Sequence, residues 1–229
     1  LSAEGSVLLK NNGALPLEKG SAVTLLGVCA ETKMNFGARV GCAVKPGQNV
    51  KLGDALIEKG FQVNEQMRET YTKVCKNKVY NNANKLSPSF VGVLPGNEPK
   101  LVTAEATVEE IQKADSDYRN GFAAYQDAAI VVLGRCGTEA ADYYPGETGI
   151  DPQTGARNAL ALTNDERALL ALAKENFHRV VVLLNTANPM EIGELAADDG
   201  IDAILWIGFP GNYGTLGIAS ILCGETNPL

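Results

Sequence analysis

The 229-residue chain, 45% hydrophobic and 21% charged with a formal net charge of −7, has the composition of a folded globular protein of one large or two small domains. A pI near 4.9, with no local Lys/Arg block, argues against a nucleic-acid partner, which needs a basic face to neutralise phosphates. The longest apolar runs, Ala128–Leu133 and Val180–Leu184, are far too short to span a bilayer, so no membrane segment is expected.

The chain opens on Leu-Ser-Ala-Glu-Gly-Ser, with neither an initiator Met nor a charged-then-apolar leader, and stops at Asn227-Pro228-Leu229; it reads as a piece cut from a longer polypeptide. A helix is predicted over Ala3–Leu9. Ala22–Leu26 is the first of four apolar, β-rich runs bounded by turn residues. Leu52–Lys59 is helical, and the breaker Gly60 leads to a weaker strand at Phe61–Val63 and a helix at Glu65–Cys75. From Lys76 to Ala106 the sequence changes character. Asn81, Asn82, Asn84, Pro88, Pro95, Gly96, Asn97 and Pro99 crowd a stretch with no clean period, read as a long surface excursion and not as a separate domain.

A helix at Val108–Ala114 precedes the second run, Ala128–Leu133. Thr163-Asn164-Asp165-Glu166 is a capping box, in which hydroxyl and carboxylate satisfy exposed amides reciprocally. Leu169, Leu172, Ala173 and Phe177 then recur at helical spacing. Runs at Arg179–Leu184 and Ala203–Ile207, with helices at Pro189–Ala196 and Thr215–Leu222, complete the pattern. The four runs are continuously apolar, as strands buried on both faces must be. Strands alternating with helices imply a doubly wound, mostly parallel α/β sheet in a single domain.

In such a sheet ligands bind outside the carboxyl ends of the strands. The unusual loops fall there: Met34–Gly41, Gly134–Asp142, Asn185–Pro189 and Gly208–Gly214. One rim thus collects two carboxylates, two arginines, amides and glycines. Gly208-x-x-Gly211-x-x-Gly214 lacks the start of a dinucleotide fingerprint and the Lys-Ser/Thr of a phosphate loop, so a structural strand-to-helix turn is the plainer reading, with a phosphate cradle the alternative. On spacing alone Glu139 and Asp142 read as solvated loop carboxylates. No Ser or Cys stands in a nucleophile elbow, and His178, the single histidine, excludes His-pair metal sites and, beside a strand, argues against a Ser-His-Asp triad. Cys29, Cys42, Cys75, Cys136 and Cys223 are scattered and include no C-x-x-C. Unpaired thiols favour a reducing, cytoplasmic setting.

Several segments together resemble the second, α/β sandwich domain of glycoside hydrolase family 3, the β-glucosidase family. Glu4-Gly5-Ser6-Val7-Leu8-Leu9-Lys10-Asn11-Asn12-Gly13-Ala14-Leu15-Pro16-Leu17 is similar to the family's entry segment, E-G-x-V-L-L-K-N-x-x-x-L-P-L. Val180–Leu184 with Asn185, Asn188 and Pro189 is similar to its V-V-V-L-N-x-x-x-P stretch. Ile204-Leu205-Trp206, Pro210-Gly211, and Ala219, Leu222, Gly224, Glu225, Asn227 and Pro228 resemble its ending. Arg135-Cys136-Gly137-Thr138-Glu139-Ala140-Ala141-Asp142-Tyr143 matches the family's acid/base loop, R-x-S-G-E-G-x-D-R, at Arg135, Glu139 and Asp142; Gly137, Thr138, Ala140 and Tyr143 depart from it.

The resemblance implies an (α/β)6 sandwich-like fold and a retaining glycosidase. Such an enzyme uses two carboxylates about 5–5.5 Å apart, one a nucleophile and one an acid that later serves as base. In the family the nucleophile is an Asp of a (β/α)8 barrel, which this chain lacks, and the second domain lends the acid/base. The resemblance makes Glu139 that acid/base, and Arg135, Asp142 and Arg39 residues that bind substrate or order the loop. Arg39 stands in Asn35–Cys42, where related enzymes carry a Gly/Ser-rich loop over the sugar. No cofactor and no metal is implied. The partners implied are a β-linked glucoside or oligosaccharide and the barrel of the parent chain. A nucleotide- or phosphate-binding module, or a purely structural one, is the alternative.

Overall fold

In a computed structural model of the protein, residues 1–37, 47–76, 104–135, 153–156, 158 and 160–229 are described. Among the described residues six strands form one sheet in the order β1-β6-β5-β4-β2-β3. They are β1 (Val7–Asn11), β2 (Ala22–Leu26), β3 (Gln62–Val63), β4 (Ala128–Gly134), β5 (Val180–Asn185) and β6 (Ala203–Trp206). β3, β2, β4, β5 and β6 run parallel, with Val131 opposite both Leu26 and Val182 and Leu184 opposite Trp206. All residues of β4 and β5 are buried, which explains their unbroken apolar sequence: helices cover both faces.

The helices are α1 (Val28–Glu31), α2 (Leu52–Glu58), α3 (Glu65–Val74), α4 (Val108–Ala114), α5 (Asn164–Asn176), α6 (Gly193–Ala197) and α7 (Gly214–Leu222). α3, α4 and α5 pack in a row, and α2 packs on α7. α4 and α5 both start with complete capping boxes, Thr107 with Glu110 and Thr163 with Glu166. Asn64 caps α3 by accepting from the Met67 amide at 3.1 Å.

The expected helix at Ala3–Leu9 is not formed. Residues 2–5 make a turn, and Val7–Asn11 is instead an edge strand antiparallel to β6, with a register shift between Leu8 and Lys10. One outer strand facing solvent needs no continuous apolar run, and Leu9 is indeed 42% exposed. The helix expected from Pro189 begins only at Gly193, and α1, a single turn, is too short to leave a periodic signal. Most of the excursion predicted over Lys76–Ala106 lies outside the described residues.

A charge cluster built on the buried Arg68–Glu31 pair, with Asp54, Glu65 and Lys51 at its exposed margin, joins the first three helices. Arg68 of α3 reaches both oxygens of Glu31 at 2.9 and 3.1 Å, Asp54 at 2.6 Å and Glu65 at 2.8 Å, while Lys51 adds a 2.7 Å bond to Glu31. Burial works against the Arg68 charge, but these carboxylates outweigh it and raise its pKa. A Cβ at Gly53 would stand 2.5 Å from Arg68 Nε, so α2 has a glycine where the guanidinium crosses it.

Candidate functional site

The carboxyl ends of β2, β4, β5 and β6 lie at one edge of the sheet, as the parallel pairing requires. Their loops are tied by Asn185, the last residue of β5 and fully buried. Its Oδ1 accepts from the Asn35 amide at 2.6 Å, and its Nδ2 donates to the Asn35 carbonyl at 2.9 Å and to the Gly208 carbonyl at 2.8 Å. Asn35 Nδ2 donates to the Arg135 carbonyl at 3.3 Å. One asparagine thus joins the loops after β2, β5 and β6, and its neighbour Asn35 adds the one after β4. The Gly211 amide donates to the Phe36 carbonyl at 2.6 Å, which ties the loops after β2 and β6 a second time, and Trp206 Nε1 donates to the Thr186 carbonyl at 2.7 Å, which anchors the indole to the loop after β5.

Arg135, the first residue after β4, has no exposed surface. Its guanidinium is turned into the protein. Nη1 donates to the Gly134 carbonyl at 2.9 Å and to Glu166, and Nη2 to the Ala161 carbonyl at 3.2 Å and to Glu166 Oε2 at 2.9 Å. A fork on a carboxylate, fully desolvated, is the strongest ion-pair geometry a protein offers. These contacts face the guanidinium into the protein, toward Gly134, Ala161 and Glu166.

Beneath the rim lies a second carboxylate that sequence reasoning missed. Glu105, 4% exposed, accepts from the Val28 amide at 3.0 and 3.1 Å and from the Ala106 amide at 2.8 Å. Burial pushes its pKa up to about 8 against those donors, and the charges of Glu166 and Asp165 add to the rise. Tyr71, fully buried, is itself pushed well up, by burial and then by Glu105. No local pattern marks Glu105, because it sits in the aperiodic stretch before α4. Glu166 was visible only as a capping residue; its partner is remote in sequence. Asn185 could have been found as a polar residue ending an apolar strand.

The glycines after β6 have structural reasons. Gly208 and Gly211 have φ of 54° and 67°, in the left-handed region. A Cβ at Gly214 would come 2.3 Å from Ser2 Oγ. These are the properties of the strand-to-helix turn expected there. His178 is exposed just before β5, at the opposite edge of the sheet from the rim. Glu139, Asp142 and Arg39 lie outside the described residues. Among the described residues no group of three or more His, Cys, Asp or Glu could hold a metal, and no helix is long and apolar enough to cross a membrane.

Residues 6–229 match the model of the glycosyl hydrolase family 3 C-terminal domain. The chain belongs to that family. A β-glucosidase of Ruminococcus albus is 28% identical over 228 residues, covering 100% of this chain but 21% of the relative. β-Glucosidase 1 of Aspergillus aculeatus is 28% identical over 233 residues, with 23% of its length covered. Among solved structures, a β-glucosidase from Paenibacillus barengoltzii superposes with a TM-score of 0.69 at 26% identity, over 98% of this chain and 22% of that one. β-Glucosidase 3B from Thermotoga neapolitana in complex with glucose gives 0.69 at 26% identity, over 99% and 28%. The family 3 C-terminal domain described here therefore spans roughly a fifth to a quarter of the curated relatives it matches.

Proposed function

We propose that this chain is the domain of a longer, retaining glycosidase that lends an acid/base carboxylate, Glu139, to an active site shared with a barrel domain. The substrate class is a β-linked glucoside or oligosaccharide, in keeping with relatives named β-glucosidases and a solved neighbour that holds glucose. One observation carries the reading. Arg135, which opens the family's acid/base pattern, is the first residue beyond β4, and Glu139 follows it four positions on, from the carboxyl edge where such sheets bind ligands.

The chemistry takes two steps. A barrel Asp attacks the anomeric carbon while the protonated Glu139 carboxyl delivers its proton to the departing glycosidic oxygen. The glycosyl ester formed is then cleaved by water, whose proton the Glu139 carboxylate accepts. For the first step Glu139 must hold a proton at working pH, and docking against the barrel, next to a negative nucleophile, raises its pKa toward that range. Arg135 and Asp142 order the loop, and Arg39 lies in the loop that borders the sugar.

The test is Glu139→Ala in the parent chain. Hydrolysis of a glucoside with a poor leaving group is expected to fall about 10²–10⁴-fold, the usual worth of general acid help. kcat/KM for a dinitrophenyl glucoside, whose leaving group needs no proton, is expected to stay near its original value. Equal losses on both substrates would remove Glu139 from the acid role.

A further inference from the structure

The Arg135–Glu166 pair occupies a particular place: it joins the two ends of the segment that carries Glu139. Arg135 stands at the entry, directly after β4, while Ala161 and Glu166 stand at the exit, before and within the first turn of α5. Through Nη1 and Nη2 the one guanidinium holds Gly134 on the entry side and both Ala161 and Glu166 on the exit side. The Glu166 carboxylate is shared. Its Oε2 accepts from Arg135 Nη2 at 2.9 Å and from the Thr163 amide at 2.8 Å, so the carboxylate that starts α5 also receives the arginine.

Stability alone is a poor reason for such a pair. Two desolvated ions can often be replaced by apolar residues without loss, and what the structure shows of this pair is its geometry, one planar fork holding both sides of the segment. With both ends of a loop fixed, the chain between them has fewer conformations to lose when it adopts a working one. A proton donor gains from this directly, since a misplacement of about 1 Å at a reacting group can cost about 10²-fold in rate.

We propose that Glu166, acting through Arg135, is a positioning residue for proton transfer: the buried clasp at the base of the 136–160 segment sets where Glu139 meets the glycosidic oxygen. The proposal rests on the reading of Glu139 given above. Neither clasp residue touches substrate, as Arg135 is fully buried and Glu166 is 3% exposed.

The test variant is Arg135→Met/Glu166→Gln in the parent chain. It removes both charges together, so no lone ion is left buried, and Gln at this position still serves a capping box. The readout is kcat/KM for an alkyl β-glucoside beside that for 2,4-dinitrophenyl β-glucoside. A misplaced acid is expected to lower the first about 10–100-fold and leave the second within about threefold, because only the alkoxide needs a proton. A role in folding alone moves both together, and that outcome, or no change in either, overturns the proposal. Should the double variant not fold, Arg135→Lys keeps the charge but loses the fork, and is expected to show the same selective loss at about 3–10-fold; equal losses there overturn the proposal as well. Glu139→Ala measured beside them separates the two claims. If it shows the leaving-group split and the clasp variants do not, only the clasp falls; if it shows none, the acid/base reading falls first.

Discussion

Replacing Glu105 with Gln removes a buried titration from beneath the rim while keeping the side chain's shape. The wild-type carboxyl is 4% exposed and its pKa is raised from 4.5 to about 8, chiefly by burial. A raised folded-state pKa means that the folded protein favours the protonated form. The stability from this group is therefore complete below about pH 4.5 and is lost as pH rises to about 8, beyond which it is level. Midway through that window each pH unit costs about 1.4 kcal/mol, and the slope flattens toward both ends, so moving from pH 5 to pH 8 costs about 3.5 kcal/mol through this one group. Tyr71 and Cys75, both raised by burial and by Glu105, lie above the window, and the Arg135–Glu166 pair is present in both proteins. Urea unfolding of wild type and Glu105→Gln from pH 5 to 8.5 isolates the term, because other groups cancel in the difference. The variant is expected to gain on wild type steadily with pH and then level off above pH 8. A difference in stability that does not change with pH would refute this account of Glu105.

Gly27→Ala should destabilise by about 2–4 kcal/mol, since φ is 104° there and a Cβ would stand 2.6 Å from the Val132 carbonyl oxygen; an unchanged urea midpoint would contradict the packing of α1 on β4. The 229-residue chain by itself is expected to fold, with a cooperative thermal transition, yet to show no turnover of an aryl glucoside. One carboxylate cannot serve as both nucleophile and proton donor; sustained hydrolysis by the pure chain would place the nucleophile within it.

How far the sequence could be read follows from how each element is buried. β4 and β5 were legible because burial on both faces leaves no polar position to interrupt Ala128–Leu133 or Val180–Leu184. β1 was misread because an edge strand obtains its identity from its neighbour β6, and Val7–Leu9 carries apolar residues compatible with either period. The rim was legible as a location, since parallel pairing sends every loop after a strand to one edge. The inward turn of Arg135 was not. It depends on Glu166, thirty-one positions away, whose local signature as a capping residue already explained its presence. Glu105 left no signal, for a buried acid whose partners among the described residues are backbone amides has no companion residue in sequence to point to it.

Azide trapping tests the acid/base assignment most directly. In the parent chain, Glu139→Ala should form the glycosyl intermediate from 2,4-dinitrophenyl β-glucoside and stall, since no base remains to activate water. Azide, which needs no base, is expected to enter the vacated space, raise the turnover and yield β-glucosyl azide, identified by NMR, with the retained configuration that two inversions require. Asp142→Ala should give glucose alone. A Glu139→Ala enzyme that azide does not accelerate, or β-glucosyl azide appearing from Asp142→Ala instead, would contradict the assignment.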